Sequence, residues 1–297
     1  MDGEIKKIVS HLPPRNFDDF LAIAFLKNKF PKAQIEYVHP QRVPEDYITD
    51  PQVILVDVGG RYDPENNNYD HHQSLSLPSS FVLVMDLVDE VKKYKNHPAI
   101  EVIDHIDKYG VKSAAEKFNF ELSKEIDEMR KSILMLDLEK HYKDVILAFK
   151  EAAKHTDYNE FLRAMYNYLD EKGLLDDIKV KLAQEKEQLQ NLIRQMKIFD
   201  VENLKIGFSI QSVAPYHSNV FDETKIDLLI ERNKMNPQHT SFIRNSSSPK
   251  ASRINLQKVF ELYPFVFIHP NGFIAVCDIE IEKVEKDIEK IAKLIQS

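Results

Sequence analysis

Val53-Ile54-Leu55-Val56-Asp57-Val58-Gly59-Gly60 is an aliphatic run that ends in a carboxylate and a glycine pair. A short unbroken apolar run before a turn reads as a strand buried on both faces, as in a parallel sheet. In open α/β sheets ligands collect at the carboxyl ends of strands, so Asp57 stands where such folds place their chemistry. The competing reading makes Asp57 a turn residue only. Gly59 and Gly60 admit backbone conformations closed to other residues. A polar loop, residues 62–69, follows and reads as too polar for a core; Asp70-His71-His72 comes next. Imidazole and carboxylate together suit Mn²⁺, Zn²⁺ and Fe²⁺. Such groups on nearby loops build metal sites for hydrolysis. A lone histidine is more often structural, but two adjacent ones after an acid, downstream of Asp57, favour function. Asp70 then serves to orient a ring.

Strands and helices alternate on either side of this core. Ile8-Val9-Ser10 reads as the end of a strand, Phe17, Phe20, Leu21, Ala24 and Phe25 recur at helical spacing, and Ile35-Glu36-Tyr37-Val38 is a second strand. Residues 81–91 read as a mostly buried helix. The alternation predicts a mostly parallel sheet over residues 1–120. Glycine and proline then nearly vanish, so residues 121–202 are expected to be helical, with a break near Gly173. The last of these helices, residues 176–196, is polar enough to bridge two domains or to lie as an ordinary solvated helix. Strand patterns return at Ile206-Gly207-Phe208-Ser209-Ile210, Ile226-Asp227-Leu228-Leu229-Ile230 and Phe265-Val266-Phe267-Ile268, before a helix over 281–295. Residues 203–297 are thus expected to form a second, smaller domain, and the fold class is α/β.

The 297 residues allow one large or two ordinary domains, and 43% apolar content supports a sizeable core. A net charge of −8 argues against broad, non-specific duplex binding. The one cysteine, Cys277, excludes an intrachain disulfide and a multi-cysteine zinc site. Its apolar setting, Phe273-Ile274-Ala275-Val276-Cys277, makes it a small core residue. No apolar run reaches the roughly 20 residues needed to span a bilayer. Met1-Asp2-Gly3-Glu4-Ile5-Lys6-Lys7 does not read as a signal peptide. A soluble cytoplasmic protein is expected.

Further candidates carry charge at element ends. His11 follows the first strand, and Asp18 and Asp19 open the next helix, either as caps or as ligands at its positive end. Asp104, His105 and Asp107 interrupt an apolar helix pattern, and either carboxylate would complete a metal pair. From Arg232 to Phe260 there is no Asp or Glu, and the segment contains Arg232, Lys234, His239, Arg244, Lys250, Arg253 and Lys258 around Ser246-Ser247-Ser248. Basic side chains with hydroxyls and turn amides suit a phosphate-bearing ligand; the alternative is a solvated basic loop. His269 sits in the turn His269-Pro270-Asn271-Gly272, and Tyr62 and Tyr69 offer stacking faces.

Together these residues resemble the DHH phosphoesterase superfamily, and within it the melanocyte-proliferating-gene family, which includes 3′–5′ RNA exonucleases. The resemblance is carried by Asp57-Val58-Gly59-Gly60-Arg61-Tyr62-Asp63-Pro64 with Tyr69-Asp70-His71-His72-Gln73, by Ser79-Ser80, by Asp104-His105-Ile106-Asp107, by Ser241-Phe242-Ile243-Arg244 and by Phe267-Ile268-His269-Pro270-Asn271-Gly272-Phe273-Ile274. It covers both ends of the chain. One motif departs: where the family has a histidine five residues after the first, this chain has Asn16, and Pro13 replaces a glycine. Asn is a poorer ligand than His for a transition metal.

The resemblance implies a DHH-type metal-binding domain (1–120), a helical linker region (121–202) and a DHH-associated substrate-binding domain (203–297). It implies two Mn²⁺-like ions held by His11, Asp18, Asp57, His71 and Asp104, with Asp57 bridging and Asn16 weakening one position. His72 would contact the scissile phosphate, with Asp70 beside it in the catalytic group. Arg244, Arg253 and His269 would hold the rest of the substrate across an interdomain cleft. The implied activity is phosphodiester hydrolysis, 3′–5′, on single-stranded RNA or short oligonucleotides. The other readings are a phosphatase or pyrophosphatase for small compounds, and a degenerate site that only binds nucleotide or RNA. No membrane partner is expected, and a homo-oligomer is compatible with the pattern.

Overall fold

The computed structural model describes residues 4–12, 15–269 and 271–296. Pro13, Pro270 and the start Met1-Asp2-Gly3 lie outside the described residues. The chain divides into two units, Met1–Lys181 and Leu182–Ser297.

The first unit begins with Lys7–His11 (β1), Phe17–Lys29 (α1), Gln34–Val38 (β2), Glu45–Thr49 (α2) and Val53–Val56 (β3). Tyr62–Asp63 (β4), Asn68–Tyr69 (β5), Ser80–Met85 (α3), Asp89–Lys92 (α4), Pro98–Tyr109 (α5) and Val111–Phe118 (α6) follow. Lys124–Leu134 (α7), Leu138–Ala152 (α8) and Tyr158–Glu171 (α9) complete it, and Asp176–Gln195 (α10) has residues on both sides of the division. The sheet order is β2-β1-β3-β5-β4, parallel throughout except that β4 runs antiparallel to β5. The predicted α/β class with a mostly parallel sheet is what forms.

The strand register positions the chemistry. β1 and β3 pair with Ile8 opposite Ile54 and Val9 opposite Leu55, so two residues further on His11 stands beside Asp57. β3 and β5 pair with Val56 opposite Tyr69, so the next residues, Asp57 and Asp70, are neighbours as well. The polar segment keeps residues 62–66 at or near the surface, as expected, but its end does not follow its polarity. Asn67, Asn68 and Tyr69 are buried because β5 is an interior strand.

Helix α1 was expected to show one apolar face. It is buried on every side instead, from Phe17 to Lys27. The sheet covers one side, and α3, α5 and α8 cover the others. A helix surrounded in this way is held in place by packing rather than by propensity. Even its lysine is satisfied: Lys27 Nζ meets Glu139 Oε2 of α8 at 2.7 Å and donates to Ala33 O. The helix read over 81–91 is interrupted after Met85, where buried Val88 takes an extended conformation and α4 starts afresh.

An aromatic cluster ties the helical segment to this core. Phe149 of α8 packs edge-on against Phe25, Phe81 and Phe161, with centroids at 5.2, 5.9 and 5.8 Å. Helices α8 and α9 are therefore part of the body that carries the site.

The second unit holds Lys197–Val201 (β6), Leu204–Ser209 (β7), His217–Thr224 (α11), Leu228–Arg232 (β8), Thr240–Arg244 (β9), Phe265–Ile268 (β10) and Ile274–Cys277 (β11). It closes with Ile281–Val284 (α12) and Ile288–Leu294 (α13), so the helix read over 281–295 is broken by a 3-10 turn at Glu285–Asp287. The sheet order is β10-β11-β9-β8-β7-β6, with only β7 and β8 parallel. The strand read over 226–230 starts two residues later, because Asp227 is used in a turn: it accepts from Lys205 N and Ser248 Oγ. Cys277 is buried, as expected, and burial pushes its thiol up to about 12. Among the described residues no helix is long and apolar enough to cross a membrane.

Replacing Phe149 with Ala should cost about 3–5 kcal/mol of stability, the range for emptying a large aromatic site. Urea unfolding followed by circular dichroism measures it. A cost below about 1 kcal/mol would show that α8 is peripheral to the first unit.

Candidate metal centre

The carboxyl ends of β1, β3 and β5 meet the first turn of α1 and the last turn of α5. Asp57 ends β3 in the left-handed region, φ 59°, a conformation that Asp tolerates better than most residues. Its N–H donates to Tyr69 O at 3.3 Å, which holds the carboxylate over the end of the sheet. Gly59 follows at φ 103°, and a Cβ there would lie 2.4 Å from Asn68 Nδ2. The glycine is thus required by both conformation and space.

Asp57 is the hub. Its Oδ1 lies 3.2 Å from His71 Nε2 and accepts from Ser80 Oγ at 3.1 Å, while its Oδ2 lies 3.3 Å from His11 Nε2. His71 Nε2 is also 2.8 Å from Asp107 Oδ2 of α5. Asp18 enters from the first turn of α1, where the helix dipole favours negative charge, and groups with His71 and Asp107. Its neighbour Asp19 is differently employed. It accepts from Asn16 N at 2.8 Å and Ser10 Oγ at 3.5 Å, which fixes the loop to the helix.

Electrostatics show the tension in this cluster. Burial, then the nearby Asp57, Asp107 and Asp19, push the Asp18 carboxyl well above its ordinary range. Asp57 goes the other way: burial raises it, but the His11 and His71 imidazoles close beside it outweigh burial and hold it low. His11 is raised to about 9, chiefly by Asp57. His71 is raised to about 10, because Asp107 and Asp57 overcome a large burial penalty.

Asp18 has no exposure, and neither of its carboxylate oxygens finds a partner among the described residues. Asp107 Oδ2 and His71 Nε2 are also buried, and despite their 2.8 Å separation they lack the alignment of a hydrogen bond. Buried ionised groups without partners cost several kcal/mol each. Donors left unpaired around one point, two carboxylates and an imidazole with Asp57 beside them, fit a divalent cation of the Mn²⁺, Zn²⁺ or Fe²⁺ type.

His72 is the exposed member, with 61% of its side chain open to solvent. Asp70 holds it from behind: Asp70 Oδ1 meets His72 Nδ1 at 2.7 Å and accepts from His72 N, while Oδ2 accepts from Gly60 N at 2.7 Å. The carboxylate raises the His72 pKa and leaves Nε2 as the free edge of the ring.

Of the sequence candidates, His11, Asp18, Asp57, His71, His72 and Asp70 are brought together. Asp104 is placed apart from them. It accepts from Ser79 N and pairs with Lys108 at 2.7 Å, while Asp107 stands in the cluster. The signal was available: Asp104 and Lys108 have the i, i+4 spacing of a helical ion pair, which leaves Asp107 as the free carboxylate. Ser80, named only by resemblance, bonds the hub directly.

In the second unit, Arg244 donates to Ala251 O and Ile254 O at 3.2 Å and to Asn271 O at 3.3 Å, pinning two turns together. His269 stacks on Phe273 at 4.0 Å, and its Nδ1 accepts from Asn271 N. Arg253 is exposed in the 3-10 turn Ala251–Arg253. The basic segment is more neutral than its composition suggests. Lys250 pairs with Asp227, Lys258 with Glu261 and His239 with Asp278.

Comparison with known proteins agrees with this picture. The model of the MYG1_exonuc family, described as an uncharacterised protein family (UPF0160), matches residues 7–77. The structure of a pGpG-specific phosphodiesterase, PggH from Vibrio cholerae, is similar over 99% of this chain and 99% of its own, with a TM-score of 0.51 and 16% identity. No curated protein matches the sequence. The solved neighbour shares the fold, and the cluster of carboxylates and histidines is of a kind that holds a divalent cation. Over residues 7–77, where β1, β3 and both histidines lie, the likeness to the melanocyte-proliferating-gene family is borne out.

A divalent cation should raise the thermal midpoint, and EDTA should reverse the shift; a cation at 100 times its dissociation constant adds about 2.7 kcal/mol. The metal-free protein should also lose stability as pH rises from 6.5 towards about 10. His11 and His71 bind protons more tightly folded than at their ordinary 6.5, so their contribution is full below 6.5 and disappears through about 9 and about 10. The raised Asp18 carboxyl acts in the same direction. Thermal scans across this range, with and without Mn²⁺, measure both effects. A cation-independent, flat profile contradicts the assignment.

Proposed function

We propose that this chain is a metal-dependent phosphodiesterase that cleaves short oligonucleotides or single-stranded RNA from the 3′ end. The observation that carries the reading is the buried group of Asp18, His71 and Asp107, whose donor atoms lack partners, with Asp57 against it and an exposed histidine held by its own carboxylate beside it. Those residues would hold the cation. Oxygen donors outnumber the imidazole in this set, which favours Mn²⁺. When bound, the cation supplies Lewis acidity, both to acidify water and to neutralise charge on phosphoryl oxygens.

The chain's own groups do the rest. Asp70 fixes the His72 tautomer with the proton on Nδ1 and favours the charged ring. His72 Nε2 is then directed outward, as a donor to a substrate phosphate oxygen. Ser80 and the Tyr69 carbonyl hold Asp57 in one rotamer and one backbone conformation, so the donor set is preorganised. Exposed Arg253 and the His269 turn would contact the substrate's further phosphates. Arg244 would support that surface through its carbonyl contacts.

The similar solved structure is titled for pGpG, a dinucleotide, which supports a short-substrate preference here. The single buried cysteine is compatible with a reducing cytoplasmic setting.

A panel of a dinucleotide, a short single-stranded RNA, pyrophosphate and a nucleotide bisphosphate, each with Mn²⁺, tests the reading. Release of mononucleotides from the first two is expected. Asp57→Asn should abolish it, and His72→Gln should lower kcat by about 10²-fold or more with little change in KM. Phosphate release from the small compounds alone would move the activity to a phosphatase. Unchanged turnover by Asp57→Asn would sink the mechanism.

A further inference from the structure

We infer that the centre takes one tightly held divalent cation per chain, not the pair that the family resemblance implies. This inference rests on the metal-dependent reading above. Two groups of side chains have ligand atoms close enough for one ion: Asp57, His71 and His72, and Asp18, His71 and Asp107. They share His71, and its contacts to Asp57 and to Asp107 both run through Nε2. One imidazole nitrogen has one lone pair and serves one ion. The groups therefore cannot be filled independently.

Geometry decides which group keeps the histidine. Asp107 Oδ2 is the nearer carboxylate at 2.8 Å, against 3.2 Å for Asp57 Oδ1. The unpartnered buried atoms, both oxygens of Asp18, Asp107 Oδ2 and His71 Nε2, all belong to the Asp18 group. With His71 assigned there, the other group is reduced to Asp57 and His72, and His72 Nδ1 is taken by Asp70 at 2.7 Å.

The far side of Asp57 is no better supplied. His11 Nε2 lies 3.3 Å from Asp57 Oδ2, but among the described residues no third ligand joins this pair at single-ion distance. Asp19 is the nearest carboxylate, and its oxygens already accept from Asn16 N and Ser10 Oγ. Asn16 points its amide N–H at Asp107 Oδ1, 3.2 Å away. Turning that amide over would set two acceptors against each other, so Asn16 presents a donor here and not a ligand. A second ion would meet His11 and Asp57, with Asp19 Oδ2 3.6 Å from His11 Nε2 but already engaged by Ser10.

The test is a count on the full chain. Metal-free protein is titrated with Mn²⁺ by calorimetry, then desalted and analysed for manganese, and its electron paramagnetic resonance spectrum is recorded. One manganese per chain is expected, with the six-line signal of an isolated ion at every loading. Asp18→Asn and Asp107→Asn should each weaken binding by about tenfold or more, and Asp104→Asn should leave count and affinity unchanged. Two ions per chain with an exchange-coupled spectrum would overturn the single-ion centre while leaving the metal-dependent reading intact. No bound manganese would overturn that reading itself. Loss of binding on Asp104→Asn but not on Asp107→Asn would overturn the ligand assignment. The wild-type count decides the main point even if a variant fails to fold.

Discussion

Like charges buried within a few ångströms of one another demand a counter-charge, and this structure concentrates Asp18, Asp57 and Asp107 around His71. The arrangement is expensive to fold without a cation, since each unpaired buried carboxylate costs several kcal/mol. It persists because the surrounding elements leave these residues nowhere else to go. Asp57 is fixed by a strand end and its left-handed backbone, Asp18 by the buried first turn of α1, and His71 by its place two residues past the interior strand β5. Stability has been given up locally to prepare a binding site, which is the usual relation between strain and function.

The remainder of the first unit serves that preparation. α1 has no solvent face, so α3, α5 and α8 must all be present to bury it, and the phenylalanine cluster at Phe149 joins them. The helical segment after residue 120 is therefore structural support for the site, although it carries no motif. The second unit is built on a separate core of its own sheet and closing helices. Its arginine pinned at Arg244 reads as architecture, and its exposed Arg253 as available chemistry.

Much of the site was legible in the sequence because strand register is simple. Hydrophobic runs at 8–9 and 53–56 must pair in parallel if both are buried, and the residues just beyond them, His11 and Asp57, then fall side by side. Residues 62–66 lie at or near the surface as their polarity predicts, but composition does not reveal that Asn68 and Tyr69 pair with β3 and are buried. Asp104 and Asp107 lie on one helix, and only the i, i+4 spacing of Asp104 and Lys108 separates them by pattern; in space one meets Ser79 and Lys108 and the other His71. The basic segment looked freer than it is because its partners, Asp227 and Asp278, lie far off in sequence. Helix ends near 86–88 and 285–287 were likewise hidden, as tertiary packing and not propensity sets them.

The central claim is that this carboxylate cluster exists to hold a cation. Its most direct test is a crystal of the full chain grown with Mn²⁺, with anomalous scattering recorded at the manganese edge. One strong peak is expected, bounded by Asp18, His71 and Asp107 beside Asp57, with Asp104 turned to Ser79 and Lys108. A cluster with no anomalous peak, its carboxylates instead neutralised by protein groups alone, would contradict it.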